Sequence, residues 1–175
     1  GGGGYLSRLS DAAPLTSTSE SLGPLANRAN ASDDLEGTPE FASIRQFEER
    51  LSRGLQEGSF LALVVNPKNY QRAIDGLCRK FGVESIDVEG LFIDSLREVC
   101  QNANAKWEAV VNADASRKSN AWHKFMTLVE RAMPLVKQRL NQSTRPTLLT
   151  YPGLLARYDQ LPLLEHLRDN VGRRA

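Results

Sequence analysis

Apolar residues recur along this chain with changing periods, and each change of period predicts a new element. Phe60-Leu61-Ala62-Leu63-Val64-Val65 is an unbroken apolar run, the pattern of a strand covered on both faces. Asn66-Pro67 ends it. Tyr70, Ala73, Ile74, Leu77, Cys78 and Phe81 then fall on one stripe of an amphipathic helix. Gly82 suits the left-handed residue that closes such a helix, and Val83 to Val88 reads as a second short strand. A helical crossover of this length predicts that the two strands are parallel neighbours.

The same reading extends in both directions. Thr38-Pro39-Glu40 has the chemistry of a helix start: a threonine cap, proline at the first helical position and an acid near the positive helix end. Phe41, Ile44, Phe47, Leu51 and Leu55 follow at helical spacing and are expected in the core. Downstream, Leu91, Phe92, Leu96 and Val99 form one stripe, and Trp107, Val110 and Val111 another. Ser119 can cap a third helix carrying Trp122, Phe125, Met126, Val129, Met133, Val136 and Leu140, which Pro134 is expected to kink or divide. Thr147 to Tyr151 reads as a third strand, Pro152-Gly153 as a turn, and Leu161-Pro162 as the start of a last helix through Leu163, Leu164, Leu167 and Val171. The predicted class is α/β: a small parallel sheet of about three strands with flanking helices and a helical insertion between the second and third strands.

Composition then divides the chain. Residues 1–37 open with four glycines and carry scattered Ser, Thr and Pro with few apolar residues. Such a segment cannot repay its ordering entropy and reads as a flexible tether; the α/β domain is assigned to residues 38–175. With 22 basic and 21 acidic residues the net charge is +1, which argues against bulk nucleic-acid wrapping. Cys78 and Cys100 have no CxxC spacing and no adjacent histidine, so they read as free thiols of a cytoplasmic protein rather than a zinc site. No apolar run reaches the roughly 18 residues that span a bilayer, and no basic-then-apolar leader is present. The chain does not begin with methionine and ends at Arg173-Arg174-Ala175 just after a helical pattern; it is expected to be a segment of a longer polypeptide.

Candidate chemistry is sparse. Parallel sheets present ligands beyond the carboxyl ends of their strands, which points to Asn66, Lys68, Asp87, Tyr151 and Gly153 as a ligand or partner surface. Lys68 at a strand-to-helix junction would face a phosphate, making ATP the cofactor to consider. Yet GxxxxGK[ST] and GxGxxG are both absent, and Pro67 removes an N–H that a phosphate cradle would use. Asp87 and Asp94 would serve as paired carboxylates, but Asp87 reads better as a cap on the helix after it. His123 and His166 have no nucleophile in a recognisable setting, and no HExxH or kinase signature occurs. No metal site is expected. Between Ser116 and Pro146 a basic run, Arg117, Lys118, Lys124, Arg131, Lys137, Arg139 and Arg145, faces a single acid, Glu130. The first six of these would contact the phosphate backbone of DNA if they share a helix face; the plainer reading is a solvated polar face.

Phe60 to Asn66, Val83 to Leu96, Trp107-Glu108-Ala109-Val110-Val111 and Leu148 to Arg168 together resemble a bacterial phage-defence module. Leu148-Leu149-Thr150-Tyr151-Pro152-Gly153-Leu154-Leu155-Ala156-Arg157-Tyr158 and Leu163-Leu164-Glu165-His166-Leu167-Arg168 are similar to segments of the phage growth limitation (BREX-type) systems, most of all to the C-terminal part of their large serine/threonine kinase component. The resemblance covers about residues 40 to 175. It implies a multidomain cytoplasmic parent that blocks phage replication. This part would be a non-catalytic regulatory or interaction module of P-loop-like topology that lacks the phosphate loop. Its partners would be other domains or subunits of a defence complex, and its next strand would lie beyond Ala175. No catalytic residue is carried over, because no kinase motif is present.

Overall fold

In the computed structural model, which describes residues 39–171, the chain runs through seven helices and two strands. They are α1 (Pro39–Gln56), a 3-10 turn (Pro67–Asn69), α2 (Tyr70–Phe81), β1 (Glu84–Asp87), α3 (Val88–Asn102), α4 (Trp107–Asp114), α5 (Asn120–Asn141), β2 (Thr147–Thr150), α6 (Gly153–Arg157) and α7 (Pro162–Val171). The fold is α/β. β1 and β2 pair in parallel with Glu84 opposite Thr147 and Asp87 opposite Thr150, and α3, α4 and α5 form the helical insertion between them. The residue 1–37 tether and the Thr38 cap lie outside the described residues.

Capping and spacing explain the central helices. Asp87 Oδ1 accepts the backbone N–H groups of Glu89 and Gly90, at 3.0 and 3.1 Å, which starts α3 where β1 ends. A Cβ on Gly90 would lie 2.9 Å from Asp87 Oδ2, so the glycine leaves room for that cap. Ser119 accepts the Trp122 N–H at 3.2 Å and starts α5. From there α3 buries Val88, Phe92, Leu96, Val99 and Cys100, and α5 buries Phe125, Val129, Ala132, Val136 and Leu140. Both sets repeat at three and four residues, so the two helices pack along their apolar stripes. Tyr158, Leu154 and Leu155 complete the core from the C-terminal side, where the Tyr158 ring lies 5.5 Å from that of Phe92 and 5.2 Å from that of Phe125.

Three sequence expectations are corrected. Phe60–Val65 forms no strand, so the sheet has two strands among the described residues, and β1 neighbours β2 instead. Burial alternates from Leu61 to Asn66, so every second residue faces inward, and nothing described covers the others. The α1 stripe is core only at its C-terminal half, where Leu51 is buried and Gly54 lies close against Leu61; Ile44 and Phe47 stand about half exposed (55% and 48%). Pro134 neither divides α5 nor enters its packed face. It is exposed, roughly 160° around the helix from the buried stripe at about 100° per residue, so water can reach the carbonyl it leaves without an N–H partner.

Candidate functional site

The carboxyl ends of β1 and β2 lie side by side, which brings Asp87 and Tyr151 to one end of the sheet. Tyr151 takes a left-handed backbone (φ +51°). Its N–H donates to the Tyr70 hydroxyl at 3.1 Å, and the two rings stand 4.9 Å apart. Gly153 follows as the exposed first residue of α6. Asp87, Tyr151 and Gly153 therefore lie at one end of the sheet, with Tyr70 as a neighbour that strand-end reasoning missed, whereas Asn66 and Lys68 follow a segment that forms no strand and so stand at no strand tip. Asp87 is engaged as the α3 cap, and Asp94 is exposed on α3.

The junction at Asn66 and Lys68 has spent its anion-binding donors. Asn66 Oδ1 accepts the Lys68 N–H at 3.0 Å, the Asn66 carbonyl accepts the Asn69 N–H at 2.8 Å, and the Pro67 carbonyl accepts the Tyr70 N–H. Pro67 has no N–H to give. A phosphate arriving here would meet the exposed Lys68 ammonium without a backbone cradle.

Beside this tip lies an apolar cleft of about 550 Å³. Leu61, Leu63 and Val65 line it, with Ile74 and Leu77 of α2, Leu148 and Leu149 of β2, and Leu164 and Leu167 of α7. Its apolar stripe leaves α2 without a single buried residue, because the helix borders the cleft instead of closing it.

The basic residues do not form one face. Lys124 and Arg131 lie within about 20° of each other around α5, whereas Lys137 is turned about 120° from Arg131. Arg139 sits on the flank toward α3, where it donates to Glu98 at 2.7 Å and to Ser95 at 3.1 Å. Arg117 lies 5.3 Å from the Trp122 ring centre and donates to the Arg157 carbonyl at 3.3 Å. Lys118, Lys124 and Arg131 remain exposed with no ion pair among the described residues.

Sequence reasoning also missed a buried polar cluster. Asp114, the last residue of α4, accepts from Arg157 at 2.8 Å and from the Tyr158 hydroxyl at 3.1 Å. Burial pushes the Tyr158 phenol well above its ordinary range, and the Asp114 charge adds to this. Burial works against the Arg157 charge, but hydrogen bonds to Asp114 and Tyr158 outweigh it, and its pKa is raised. Asp114 and Tyr158 are sealed from solvent, so the cluster fastens α4 to the end of α6 rather than presenting reactive groups. The signal was present in sequence: Asp114 continues the Trp107, Val110, Val111 stripe at i+7, a charge on an apolar face. Elsewhere, His123 Nδ1 lies 3.2 Å from the Ser119 carbonyl and His166 Nε2 lies 2.6 Å from the Asn170 amide, both at the surface. Cys78 and Cys100 are free thiols. Among the described residues no group of three or more His, Cys, Asp or Glu is placed to hold a metal ion, and no helix is long and apolar enough to cross a membrane.

The chain is similar to the protein named "Probable kinase PglW" of Streptomyces coelicolor, with 27% identity over 145 residues. That match covers 77% of this chain but 9% of the relative. No protein-family model and no solved structure matches the chain.

Proposed function

We propose that this chain is a non-catalytic interaction module of a multidomain bacterial phage-defence protein, and that its work is to dock another domain of the same parent. The observation that carries the reading is the uncovered apolar surface: Ile44 and Phe47 on one face of α1, together with the fully exposed Val64. Large apolar side chains grouped on one helix face mark an interaction surface, and nothing among the described residues buries Ile44 or Phe47. The likeness to a kinase ten or so times longer than the match supplies the kind of partner, since such a parent holds many further domains. The resemblance to phage growth limitation systems supports the defence setting, and the spent donors around Lys68 weigh against nucleotide chemistry here.

The test is association between this chain and the remainder of its parent, produced as two polypeptides. Paired Ile44→Asp and Phe47→Asp changes should weaken binding at least about tenfold, the effect of losing apolar anchors, while circular dichroism stays unchanged. Equal affinity of variant and wild type would overturn the reading. Thermal unfolding with ATP–magnesium should show no shift, because only a ligand of the folded state raises stability. A second reading, contact with DNA, rests on the exposed and unpaired Lys118, Lys124 and Arg131.

A further inference from the structure

Among the described residues the packed core is drawn wholly from the C-terminal part of the chain. Its buried members run from Val88 to Leu163, and the half-buried residues packed against them run from Ile86 to Leu167. Residues 39–81 stand outside it. α2 buries none of its residues, and the buried residues of α1 are Leu51 and Gly54, with Leu51 apart from that cluster. Residues 39–81 are instead tied to one another. Glu48 of α1 pairs with Lys80 of α2, and the Ser59 N–H donates to the Gly54 carbonyl at 2.7 Å. Leu61 lies so near Gly54 that a Cβ there would stand 2.6 Å from its Cδ1.

We propose that residues 39–81 are an arm that swings from the rest of the molecule as one body, with Gly82 as its hinge and the Tyr70–Tyr151 contact as its clasp. The two bodies part along the apolar cleft of about 550 Å³, lined by Leu61, Leu63 and Leu77 of the arm and by Leu149, Leu164 and Leu167 of the rest. Side chains that border a space of that size do not interlock across it, so this join lacks the close packing that holds the core. Gly82 connects α2 to β1 in a left-handed backbone (φ +63°), with nothing within 4 Å of where a Cβ would stand. A glycine there passes to other backbone conformations without steric penalty, as a hinge requires. At the other end of α2, the Tyr151 N–H donates to the Tyr70 hydroxyl at 3.1 Å. The clasp holds Tyr151 at φ +51°, a backbone that tyrosine rarely adopts. Opening frees Tyr151 from it and uncovers the apolar sides of β2 and α7. The arm carries Ile44 and Phe47, but its motion does not rest on docking there.

The test is native-state hydrogen exchange of the 175-residue chain, read amide by amide by NMR at low urea concentrations. Residues 51–56 of α1 and 74–81 of α2 should share one opening, with equal protection and an equal urea slope, because a unit that opens exposes surface and a fraying end does not. They should exchange at least about 100-fold faster than α3 and α5, which open only with global unfolding. Two mild variants then separate the bodies. Tyr70→Phe keeps the ring but removes the acceptor of the Tyr151 N–H, and should speed exchange in both arm helices about fivefold, the effect of one hydrogen bond. Tyr158→Phe weakens the core, which stays folded when the arm opens; it should speed α3 and α5 about fivefold and leave α1 and α2 unchanged. Protection in α2 equal to that in α3, unequal urea slopes in α1 and α2, or acceleration of α2 by Tyr158→Phe would each overturn the arm. Wild-type exchange in Tyr70→Phe would overturn the clasp.

Discussion

The cluster of Asp114, Arg157 and Tyr158 shows how one buried carboxylate can fasten distant parts of a chain. Its side chain has no exposed surface, whereas that of Arg157 retains 26%. Removing the carboxylate takes the ion pair from the guanidinium and the acceptor from the phenol together. Asp114→Ala should therefore cost about 3 kcal/mol, the lower end for breaking a buried pair, measured by urea unfolding. Tyr158→Phe, which leaves the Arg157 pair in place, should cost about 1 kcal/mol at neutral pH. The two variants also differ in alkali. Because the folded pKa of Tyr158 is raised above the ordinary value of 10.0, the folded state holds the proton more tightly than the unfolded one. That stabilisation is complete below pH 10 and is lost as pH rises toward the folded pKa. Wild-type stability should fall as pH rises above about 10, and Tyr158→Phe should flatten this part of the fall. An unchanged alkaline profile would show that another group titrates there.

At the scale of elements, the apolar stripes were legible wherever one face of a helix meets another helix. Phe92 and Leu96, and Phe125 and Val129, lie where their spacing put them, and the Asp87 cap follows from its place before Val88. The parallel strands β1 and β2 and the insertion between them were legible for the same reason. Two kinds of information were not. Apolarity specifies that a surface is to be covered but not by what, so Phe60–Val65 reads as an inner strand while the described residues cover only one of its faces. The Ile44 and Phe47 stripe was mistaken for core on the same ground. Angular position around a helix also demands arithmetic that approximate spacing conceals. Lys124 to Lys137 is thirteen residues, about 140° away from an integral number of turns, and Arg139 is drawn to Glu98 by a helix 41 residues away in sequence. Asp87, Tyr151 and Gly153 could be placed at one sheet end from the parallel pairing of β1 and β2, but the Tyr70 hydroxyl on the Tyr151 N–H is a long-range contact that no local pattern encodes.

On the scale of the whole molecule, packing is uneven. The core lies among α3, α5 and α6, whereas α2 and Phe60–Val65 line a cleft and half of the α1 stripe faces outward. The proposed docking reading takes a protein partner and the second reading a polyanion, and salt separates the two. Six basic residues acting on phosphates would give a log–log salt slope near −5, at roughly 0.9 per neutralised phosphate. With Arg139 held by Glu98, Arg117 on Trp122 and Lys137 turned aside, Lys118, Lys124 and Arg131 are the three of the six left exposed without an ion pair among the described residues. Their combined slope is near −3, and affinity would fall about 40-fold between 50 and 200 mM salt. A docking module should show no such dependence, because burial of apolar surface is not screened. We therefore expect fluorescence anisotropy with a short duplex at 50 mM salt to detect no binding that Lys124→Glu and Arg131→Glu remove. Binding with a slope near −3, abolished by those two changes, would move the working surface from the apolar face of α1 to α5.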